Sequence, residues 1–410
     1  MPPETLSRRT IRFVNLAHAL DHFVLLVYPT AVIAMAPSLG LDYAALIGLA
    51  TGAFVAFGLG SLPVGWLAER WGRRNLLAVF FAGAGLALLG LAAASTPAAL
   101  AFWLLLLGAF AAIYHPVGSA LLVGHARRLG RDLGWNGVWG NMGAALASGV
   151  TAFVAAWLGW RAAFALPGLA CLAAGAAFVA LVPGEGGAHG AARHNAETIP
   201  VPRPFVLLAV FAAAIVAGGM TFNITTIALP KVLDERLGLA LPLVLTGSLA
   251  TLVFAFGALT QLLMGRLVDR FALPTIFLGL AMLQPLGLGL AALSTGVPLL
   301  LGLVLAMAAI YGQVVVNDAM VARYVPPRLR ARVFGVRYFL GFTASGLAVP
   351  LIALLHARNG FPAVLAAAAA FGAAVLACAA AFLLAARPRT AGGAARAPVR
   401  APVRVEAPAD

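Results

Sequence analysis

Long apolar segments separated by short basic loops dominate this chain and limit what it can fold into. A helix needs roughly 20 apolar residues to cross a bilayer. Twelve segments meet that length, at residues 11–36, 43–67, 75–94, 99–124, 133–158, 162–182, 204–229, 242–267, 274–293, 297–321, 331–355 and 361–386. Only 10% of the residues are charged, against about 25% in soluble domains. We therefore predict an all-α membrane protein with twelve transmembrane helices.

A polar segment between the sixth and seventh apolar segments divides the chain. Residues 183–203, "PGEGGAHGAARHNAETIPVPR", are rich in Gly and Pro and are predicted to form a cytoplasmic linker. The linker separates an N-terminal six-helix bundle at residues 1–182 from a C-terminal six-helix bundle at residues 204–386. Residues 387–410 are rich in Arg, Ala and Pro and are predicted to be a disordered cytoplasmic tail.

The placement of the basic residues predicts the orientation. If both termini are cytoplasmic, nearly all arginines fall in cytoplasmic loops, and the opposite face keeps only Arg161, Lys231, Arg236 and Arg358. Such an asymmetry is typical of multi-pass proteins of the plasma (inner) membrane. Basic loops beside anionic lipid headgroups also account for the net charge of +14, so nucleic acid is not an expected partner.

The two halves of the sequence repeat each other. "GWLAERWGRR" begins at Gly65 and "GRLVDRF" begins at Gly265, 200 residues later, after equivalent spans. Two further matches lie 197 and 201 residues apart: "AAIY" at 111–114 and 308–311, and "LGWNGVWG" at 133–140 with "FGVRYFLG" at 334–341. Three matches at nearly one offset indicate a duplicated six-helix unit. Parallel repeats of this kind are typical of two-bundle secondary transporters.

The loop motif carries a resemblance to a known family. "GWLAERWGRR" resembles the signature G-x-L-a-D-R-x-G-R-R of the major facilitator superfamily, with Glu69 in place of Asp. The second copy keeps Gly265, Asp269 and Arg270 but lacks the trailing Gly-Arg-Arg. The resemblance covers about residues 11–386 and implies two pseudo-twofold-related six-helix bundles that move as a rocker switch. "YHPVGSALL" and "GNMGAALASG" are similar, more specifically, to exporters of the fosmidomycin-resistance type, which favours export.

The same resemblance implies that the loop motif latches the cytoplasmic side when the transporter opens outward. Gly65 and Gly72 permit tight turns and close backbone approach, and Glu69 can accept hydrogen bonds from a helix N-terminus. The arginines of the motif can bind carboxylates or lipid phosphates; they are Arg70, Arg73 and Arg74. A solvated basic loop is the alternative interpretation.

Three titratable residues lie within the first apolar segment. His18, Asp21 and His22 are spaced by three and four residues, so they share one helical face, which Asn15 extends. A charge at the bilayer centre costs at least about 2.5–3.5 kcal/mol, so such groups usually face a cavity. The family resemblance implies that the first, fourth, seventh and tenth helices line that cavity. We predict that this stripe carries a proton or binds substrate; the alternative is a polar knot that holds two helices together.

The other cavity-lining helices supply further candidates. His115 in the fourth span precedes Pro116, which removes a backbone hydrogen bond and kinks the helix. His115 is predicted to be either a cavity ligand or a donor to a carbonyl freed by that kink. The remaining candidates are polar residues of the seventh and tenth spans: Asn223, Gln313 and Asn317.

One arginine lies inside an apolar segment. Arg337 occupies the repeat position of Asn136, about two turns into the eleventh span. A guanidinium there cannot deprotonate and needs a partner, for which Asp318 is the expected residue. Two interpretations stay open, namely a fixed internal salt bridge and a site where an anionic substrate competes for Arg337.

Four glycines lie at spacing three in the fifth span: Gly134, Gly137, Gly140 and Gly143. Glycine costs a helix roughly 1 kcal/mol relative to alanine, so its repeated use predicts close helix packing. Exporters of the superfamily often carry a proline in this helix, and that proline is missing here.

Motifs of enzymes are lacking in this sequence. It contains no G-x-S-x-G elbow, P-loop or His-Glu-x-x-His motif, so neither an enzyme nor a cofactor is expected. His18, Asp21 and His22 are potential metal ligands, but without a fourth ligand in sight no metal site is predicted.

Three functional interpretations remain. The favoured one is a monomeric, proton-coupled secondary transporter of a small organic solute with a preference for export. The others are an importer of a small organic anion that uses Arg337 and the histidines, and a membrane sensor that has lost transport.

Overall fold

The computed structural model of this chain describes residues 3–126, 129–184, 204–238, 240–268, 270–325 and 327–386. Within these ranges all regular structure is helical, as predicted. The helices are α1 (Pro3–Leu39), α2 (Tyr43–Gly48), α3 (Thr51–Trp71), α4 (Arg73–Ala93), α5 (Pro97–Ala111), α6 (Tyr114–His125), α7 (Leu129–Leu158), α8 (Trp160–Leu181), α9 (Pro204–Arg236), α10 (Leu243–Leu267), α11 (Leu273–Leu293), α12 (Gly296–Tyr324) and α13 (Pro327–Ala386). The predicted tail, Asp269 and nearly all of the predicted linker lie outside the described residues.

These helices make twelve crossings in the part of the chain that the structure describes. Helices α2 and α3 together form one apolar stretch, Tyr43–Trp71, and α5 with α6 form another, Pro97–His125. The stretch Phe339–Ala385 within α13 is 47 residues long, about twice the length of one crossing. It reverses at Gly360, whose φ of 67° and ψ of −168° lie outside the helical region. The prediction of twelve spans is therefore confirmed.

Short turns between the helices use residues suited to that task. Gly72 joins α3 to α4 and Gly159 joins α7 to α8, with φ values of 82° and 83° that favour glycine. Thr96 caps α5 because its hydroxyl accepts a hydrogen bond from the backbone N–H of Ala99. Asp42 caps α2 in the same way through Ala45.

Arginines at both faces cap the carboxyl ends of helices. Arg74 donates to the carbonyls of Val179 and Val182 at the end of α8, at 2.6 and 2.9 Å. The other donors behave alike: Arg9 to Leu181, Arg161 to Ala94, Arg236 to Ala291, Ala292 and Ser294, and Arg323 to Val268. The last carbonyls of a helix have no partner within it and carry partial negative charge. Arg161 and Arg236, two exceptions to the predicted charge asymmetry, thus have a structural role.

The two halves of the chain meet mainly through two pairs of helices. Helix α7 packs on α10, where a Cβ on Gly149 would lie 2.7 Å from Oγ1 of Thr251. Helix α3 packs on α13, where the hydroxyl of Ser345 donates to the carbonyl of Phe54 at 3.4 Å. These contacts lie in the parts of α3 and α10 that are remote from the loop motifs.

Candidate functional site

Helices α1 and α6 bring three imidazoles together. His18 and His22 lie one turn apart on α1, and their ring centroids are 5.0 Å apart. The ring of His115 on α6 lies 5.5 Å from that of His18 and 5.4 Å from that of His22. One nitrogen from each ring falls within 4.8 Å of the other two. The sequence placed His18 and His22 on one face, and the structure adds His115 to them.

A break in the fourth crossing positions His115. Helix α5 ends at Ala111 and α6 begins at Tyr114, with a turn between them. Pro116 has no N–H to offer the carbonyl of Ala112 four residues earlier, which weakens the helix at this point. The predicted kink is therefore present, and it lies just before the histidine.

Asp21 lies behind this cluster and is completely buried, with 0% of its side chain exposed. Its Oδ2 is 3.4 Å from Nε2 of His115. Neither carboxylate oxygen makes a hydrogen bond with the residues that the structure describes. A charged carboxylate without hydrogen bonds is costly in an apolar interior. A carboxyl and an imidazole at this separation can instead share one proton and stay neutral as a pair.

Asn136 of α7 ties the other side of the cluster together. Its Nδ2 donates to Oδ1 of Asn15 and to the hydroxyl of Tyr114, both at 3.0 Å. Its backbone carbonyl accepts a hydrogen bond of 2.8 Å from Nδ1 of His18. The polar knot, which was the alternative interpretation of the stripe, thus includes Asn15 and His18. Asp21 and His22 take no part in these hydrogen bonds.

The ring of His18 is held between two flat surfaces. It stacks on Tyr114 with centroids 4.8 Å apart and planes 24° from parallel. On the side of α7, a Cβ added to Gly140 would lie 2.5 Å from Nε2, 2.6 Å from Cε1 and 2.7 Å from Cδ2. These nearly equal distances place that Cβ over the ring face, so only glycine leaves room. Tyr114 was not a predicted site residue, although it lies in the repeated "AAIY" motif beside His115.

The second half presents an ion pair at the site that the sequence predicted. Nη1 of Arg337 in α13 donates to Oδ1 of Asp318 in α12. Its Nη2 also reaches the carbonyl of Val314 at 3.5 Å. The Arg337 side chain is 9% exposed, whereas that of Asp318 is 42% exposed. The guanidinium is therefore the enclosed member of the pair, and the carboxylate is the open one.

Helices of the second half also carry amide side chains. Gln284 of α11 donates to Oε1 of Gln313 on α12. Oδ1 of Asn317 is buried without a hydrogen-bond partner among the described residues. Nδ2 of Asn223 donates to the carbonyl of Gly219 one turn earlier on α9, at 2.8 Å. Gln284 was not among the predicted site residues; a lone glutamine before Pro285 in an apolar span was the available signal.

A hydrogen bond between two side chains also bridges the halves. Nδ2 of Asn141 in α7 donates to Oε1 of Gln261 in α10 at 2.5 Å. Asn141 thus lies at the contact between the two bundles.

The loop motif lies at the exposed end of α3. Gly72 forms the turn, and the guanidinium of Arg70 lies 4.1 Å from the ring centroid of Trp66. Glu69 is exposed, like Arg270 of the second copy, and makes no hydrogen bond with the described part of the chain. Gly65 and Gly265 have no described atom within 4 Å of an added Cβ. Arg73 lies in the first turn of α4, beside the helix-capping Arg74.

The glycines of α7 fall into two pairs. A Cβ on Gly143 would lie 1.9 Å from the carbonyl oxygen of Ala19, so α7 and α1 touch backbone to backbone there. Gly140 makes the contact with His18 described above. Gly134 and Gly137 have no described neighbour within 4 Å of an added Cβ. Of these four glycines, Gly140 and Gly143 therefore pack closely against α1, and Gly134 and Gly137 do not.

Comparison with known families gives one match along the whole length. The profile of the Major Facilitator Superfamily matches residues 13–317 and, in a second alignment, residues 210–406. The two alignments overlap, and together they extend from α1 beyond α13. No match was found among curated protein sequences.

Solved structures share this architecture at low sequence identity. A bacterial homologue of the human lysosomal transporter Spinster, inward-facing and occupied, superposes with a TM-score of 0.70 at 15% identity, covering 93% of this chain and 95% of that one. The inward-open xylose transporter XylE from E. coli gives 0.70 at 16% identity, with 94% and 97% covered. The nucleoside transporter NupG gives 0.69 at 16%, with 92% and 100% covered. At such identities the likeness establishes the fold.

Proposed function

Because the chain belongs to the major facilitator superfamily, and is therefore a multi-pass membrane transporter and not an enzyme, we propose that it couples solute transport to protons through Asp21 and His115. The solute is a small organic molecule, and the two bundles alternate around it as a rocker switch. The single observation that carries the proposal is the contact between a fully buried carboxylate and an imidazole, 3.4 Å apart, inside the first bundle.

Burial explains why this pair suits coupling. A charge in the middle of a membrane costs at least about 2.5–3.5 kcal/mol, so ionisable groups there are usually functional. Asp21 has no hydrogen bond to hold it permanently charged, unlike Asp318, which is bonded to a guanidinium. A carboxyl group of this kind can accept a proton from one side of the membrane and release it to the other when its surroundings change. His18 and His22 lie next to His115 and extend the path for that proton.

The solute is proposed to bind between this cluster and the polar residues of the second half. Gln313, Asn317 and Asn223 offer amide groups for hydrogen bonds, and the exposed carboxylate of Asp318 adds a negative charge. Transport would then proceed as the α3–α13 and α7–α10 contacts open and close. The exposed loop motif, with Glu69 at its centre, is proposed to latch the cytoplasmic side when the transporter opens outward.

Export is the preferred direction, and it rests on the sequence similarity to exporters of the fosmidomycin-resistance type. The termini are proposed to be cytoplasmic in the plasma (inner) membrane, and the protein is proposed to work as a monomer. Import of an organic anion is supported less well, because the guanidinium that would bind the anion is enclosed and already donates to Asp318 and Val314.

Purified protein in liposomes tests this proposal. Solutes that raise the melting temperature of the protein are first selected, and proton movement is then followed with a pH-sensitive dye as each solute is added. We expect solute-dependent proton flux, and an imposed pH gradient should drive solute against its concentration gradient in the direction opposite to the protons. Solute movement together with the protons would indicate import, and no flux with any bound solute would indicate a sensor.

The variant Asp21→Asn should reduce proton-driven accumulation to the background level while solute exchange between equal pools continues. Asp42→Asn is the matched control, because Asp42 caps α2 at an exposed position and asparagine caps a helix equally well. Unchanged coupling in Asp21→Asn would remove Asp21 from the mechanism.

A further inference from the structure

We infer that His18, His22 and His115 form a binding site for one divalent transition-metal ion of the zinc class. No metal site was predicted from the sequence, because the first span alone supplies too few ligands. The structure supplies the third imidazole from another helix. The inference depends on the positions of three rings and does not require proton coupling.

The spacing of the rings matches that of a tetrahedral site. A metal–nitrogen bond of 2.0–2.1 Å puts the metal about 3.2 Å from the ring centroid, so the centroids of two tetrahedral ligands lie about 5.2 Å apart. The three observed separations are 5.0, 5.4 and 5.5 Å. The backbones of α1 and α6 therefore already hold the rings at the required distance.

The rings must turn before they can bind one ion. The ligand nitrogens lie within 4.8 Å of one another, whereas nitrogens bound to one zinc ion are about 3.3 Å apart. Because His18 is held by Tyr114 and Asn136, the rings of His22 and His115 are the ones expected to turn. His22 has no hydrogen bond with the described residues that would resist such a turn.

Neighbouring groups orient two of the ligands. Nδ1 of His18 faces a carbonyl oxygen, that of Asn136, and must donate its proton there, which leaves the lone pair of the neutral ring on Nε2. Oδ2 of Asp21 lies 3.4 Å from Nε2 of His115, and a turn of the ring that lets Nε2 donate to this oxygen leaves the lone pair on Nδ1. Metal-binding histidines in proteins are typically held by a backbone carbonyl or a carboxylate in this way.

The donor set determines the class of ion. Imidazole nitrogens suit Zn²⁺, Co²⁺, Ni²⁺ and Cu²⁺, whereas Mg²⁺ and Ca²⁺ prefer oxygen ligands. Three protein ligands leave a fourth position for water or a bound molecule, as in catalytic zinc sites. The buried carboxylate of Asp21 offsets part of the positive charge of the ion.

The test uses untagged full-length protein in detergent, with His189→Gln and His194→Gln introduced so that the histidines of residues 185–203 do not contribute. Zn²⁺ is titrated by calorimetry, with Mg²⁺ as the negative control, and Co²⁺ is titrated while its visible absorption is recorded. We expect one Zn²⁺ per chain, no heat from Mg²⁺, and the intense visible bands of tetrahedral Co²⁺.

Removing one ligand should weaken Zn²⁺ binding at least about 100-fold, more than the loss of an orienting group does. His22→Gln and His115→Gln are the test variants, and His125→Gln is the matched control, because His125 lies at the far end of α6 and bonds to Leu121. Equal Zn²⁺ affinity in parent and His22→Gln would overturn the inference. If a variant fails to fold, the Co²⁺ spectrum of the parent decides, since only weak octahedral bands would exclude the site. These measurements need no gradient, so their failure leaves the proton proposal intact, and the reverse also holds.

Discussion

Equivalent positions in the two halves of this transporter carry different chemistry. Pro29 in α1 and Pro230 in α9 lie 201 residues apart, the same offset that separates Gly140 in α7 from Gly341 in α13. This common register permits a comparison residue by residue. In this register, three titratable residues of the first half correspond to residues that do not titrate. His18 corresponds to Gly219, Asp21 to Phe222 and His22 to Asn223.

Equivalent helix pairs pack at these positions in both halves, but the side chains between the helices differ. In the first half, the ring of His18 lies on Gly140. In the second half, Gly219 takes the place of that histidine, and a Cβ added to it would lie 2.9 Å from Cβ of Ala344 and 3.4 Å from the carbonyl oxygen of Gly341. At this position α9 contributes a glycine to its contact with α13, whereas α1 contributes an imidazole to its contact with α7.

Aromatic contact replaces the buried acid in the second half. Phe222 is the counterpart of Asp21, and Tyr311 is the counterpart of Tyr114 in the "AAIY" motif. The ring centroids of Phe222 and Tyr311 are 5.6 Å apart. The charge of the second half comes instead from Arg337, the counterpart of Asn136, and it is held by Asp318. The two halves thus share a helix framework, while the buried titratable cluster lies in the first half and the guanidinium–carboxylate pair lies in the second.

The largest effect on stability is expected where this fixed ion pair is broken. Asp318→Ala should lower the free energy of unfolding by about 3–5 kcal/mol, because it leaves an enclosed guanidinium that cannot deprotonate. Arg337→Ala should cost less, since the carboxylate that remains is 42% exposed and can be hydrated. Melting temperatures of the two variants in detergent measure the difference.

The same pair of variants can break the comparison between the halves. If the ion pair is structural, the folded fraction of each variant should retain the number of protons moved per solute. A smaller loss of stability in Asp318→Ala than in Arg337→Ala would show that the guanidinium is not the member that needs its partner. A changed proton number would show that the second half also takes part in coupling.

A smaller effect is expected at the counterpart of Arg337. Asn136→Ala removes the side-chain hydrogen bonds that Asn136 makes with Asn15 and Tyr114, and it leaves both residues with fewer partners. Membrane-embedded hydrogen bonds contribute about 0.6–2 kcal/mol each, so a loss of about 1–3 kcal/mol is expected by thermal unfolding. Asn75→Ala is the control, because Asn75 is exposed and bonds to sequence neighbours, donating to the carbonyl of Trp71 and accepting from Arg74. Equal melting temperatures of the two variants would show that the knot is dispensable.

The twelve crossings could be predicted from sequence because each depends on local composition. Their ends could not, since α1 runs from Pro3 to Leu39 whereas hydropathy indicated 11–36. A helix continues into the polar region as long as its backbone bonds persist, and hydropathy does not register those bonds. The pairing of Arg337 with Asp318 was predictable because a buried guanidinium needs an acid, and few acids lie in the spans.

The three-histidine cluster and the glycine contacts illustrate what sequence alone could not supply. His18 and His22 share a face by spacing, but the arrival of His115 depends on how α6 packs against α1. The four glycines of α7 were expected to act together. At 3.6 residues per turn, however, each step of three residues rotates the side by about 60°, so Gly134 and Gly143 lie on opposite sides of the helix. Only Gly140 and Gly143 therefore meet α1.

The smallest effect, and the most direct comparison of the halves, is expected from alanine at two equivalent glycines. Gly140→Ala places a methyl group about 2.5 Å from Nε2 of His18, so the ring must leave its stack on Tyr114. A cost of about 1 kcal/mol is expected, because the clash opposes the gain of about 1 kcal/mol in helix propensity. Gly341→Ala meets no described atom within 4 Å and should be neutral or slightly stabilising. Melting temperatures test the stability difference, and proton flux tests whether moving His18 slows coupling. If both variants melt at the same temperature, the packing of His18 on Gly140 does not stabilise the first half. The proposed difference between Gly140 and its counterpart Gly341 would then be wrong.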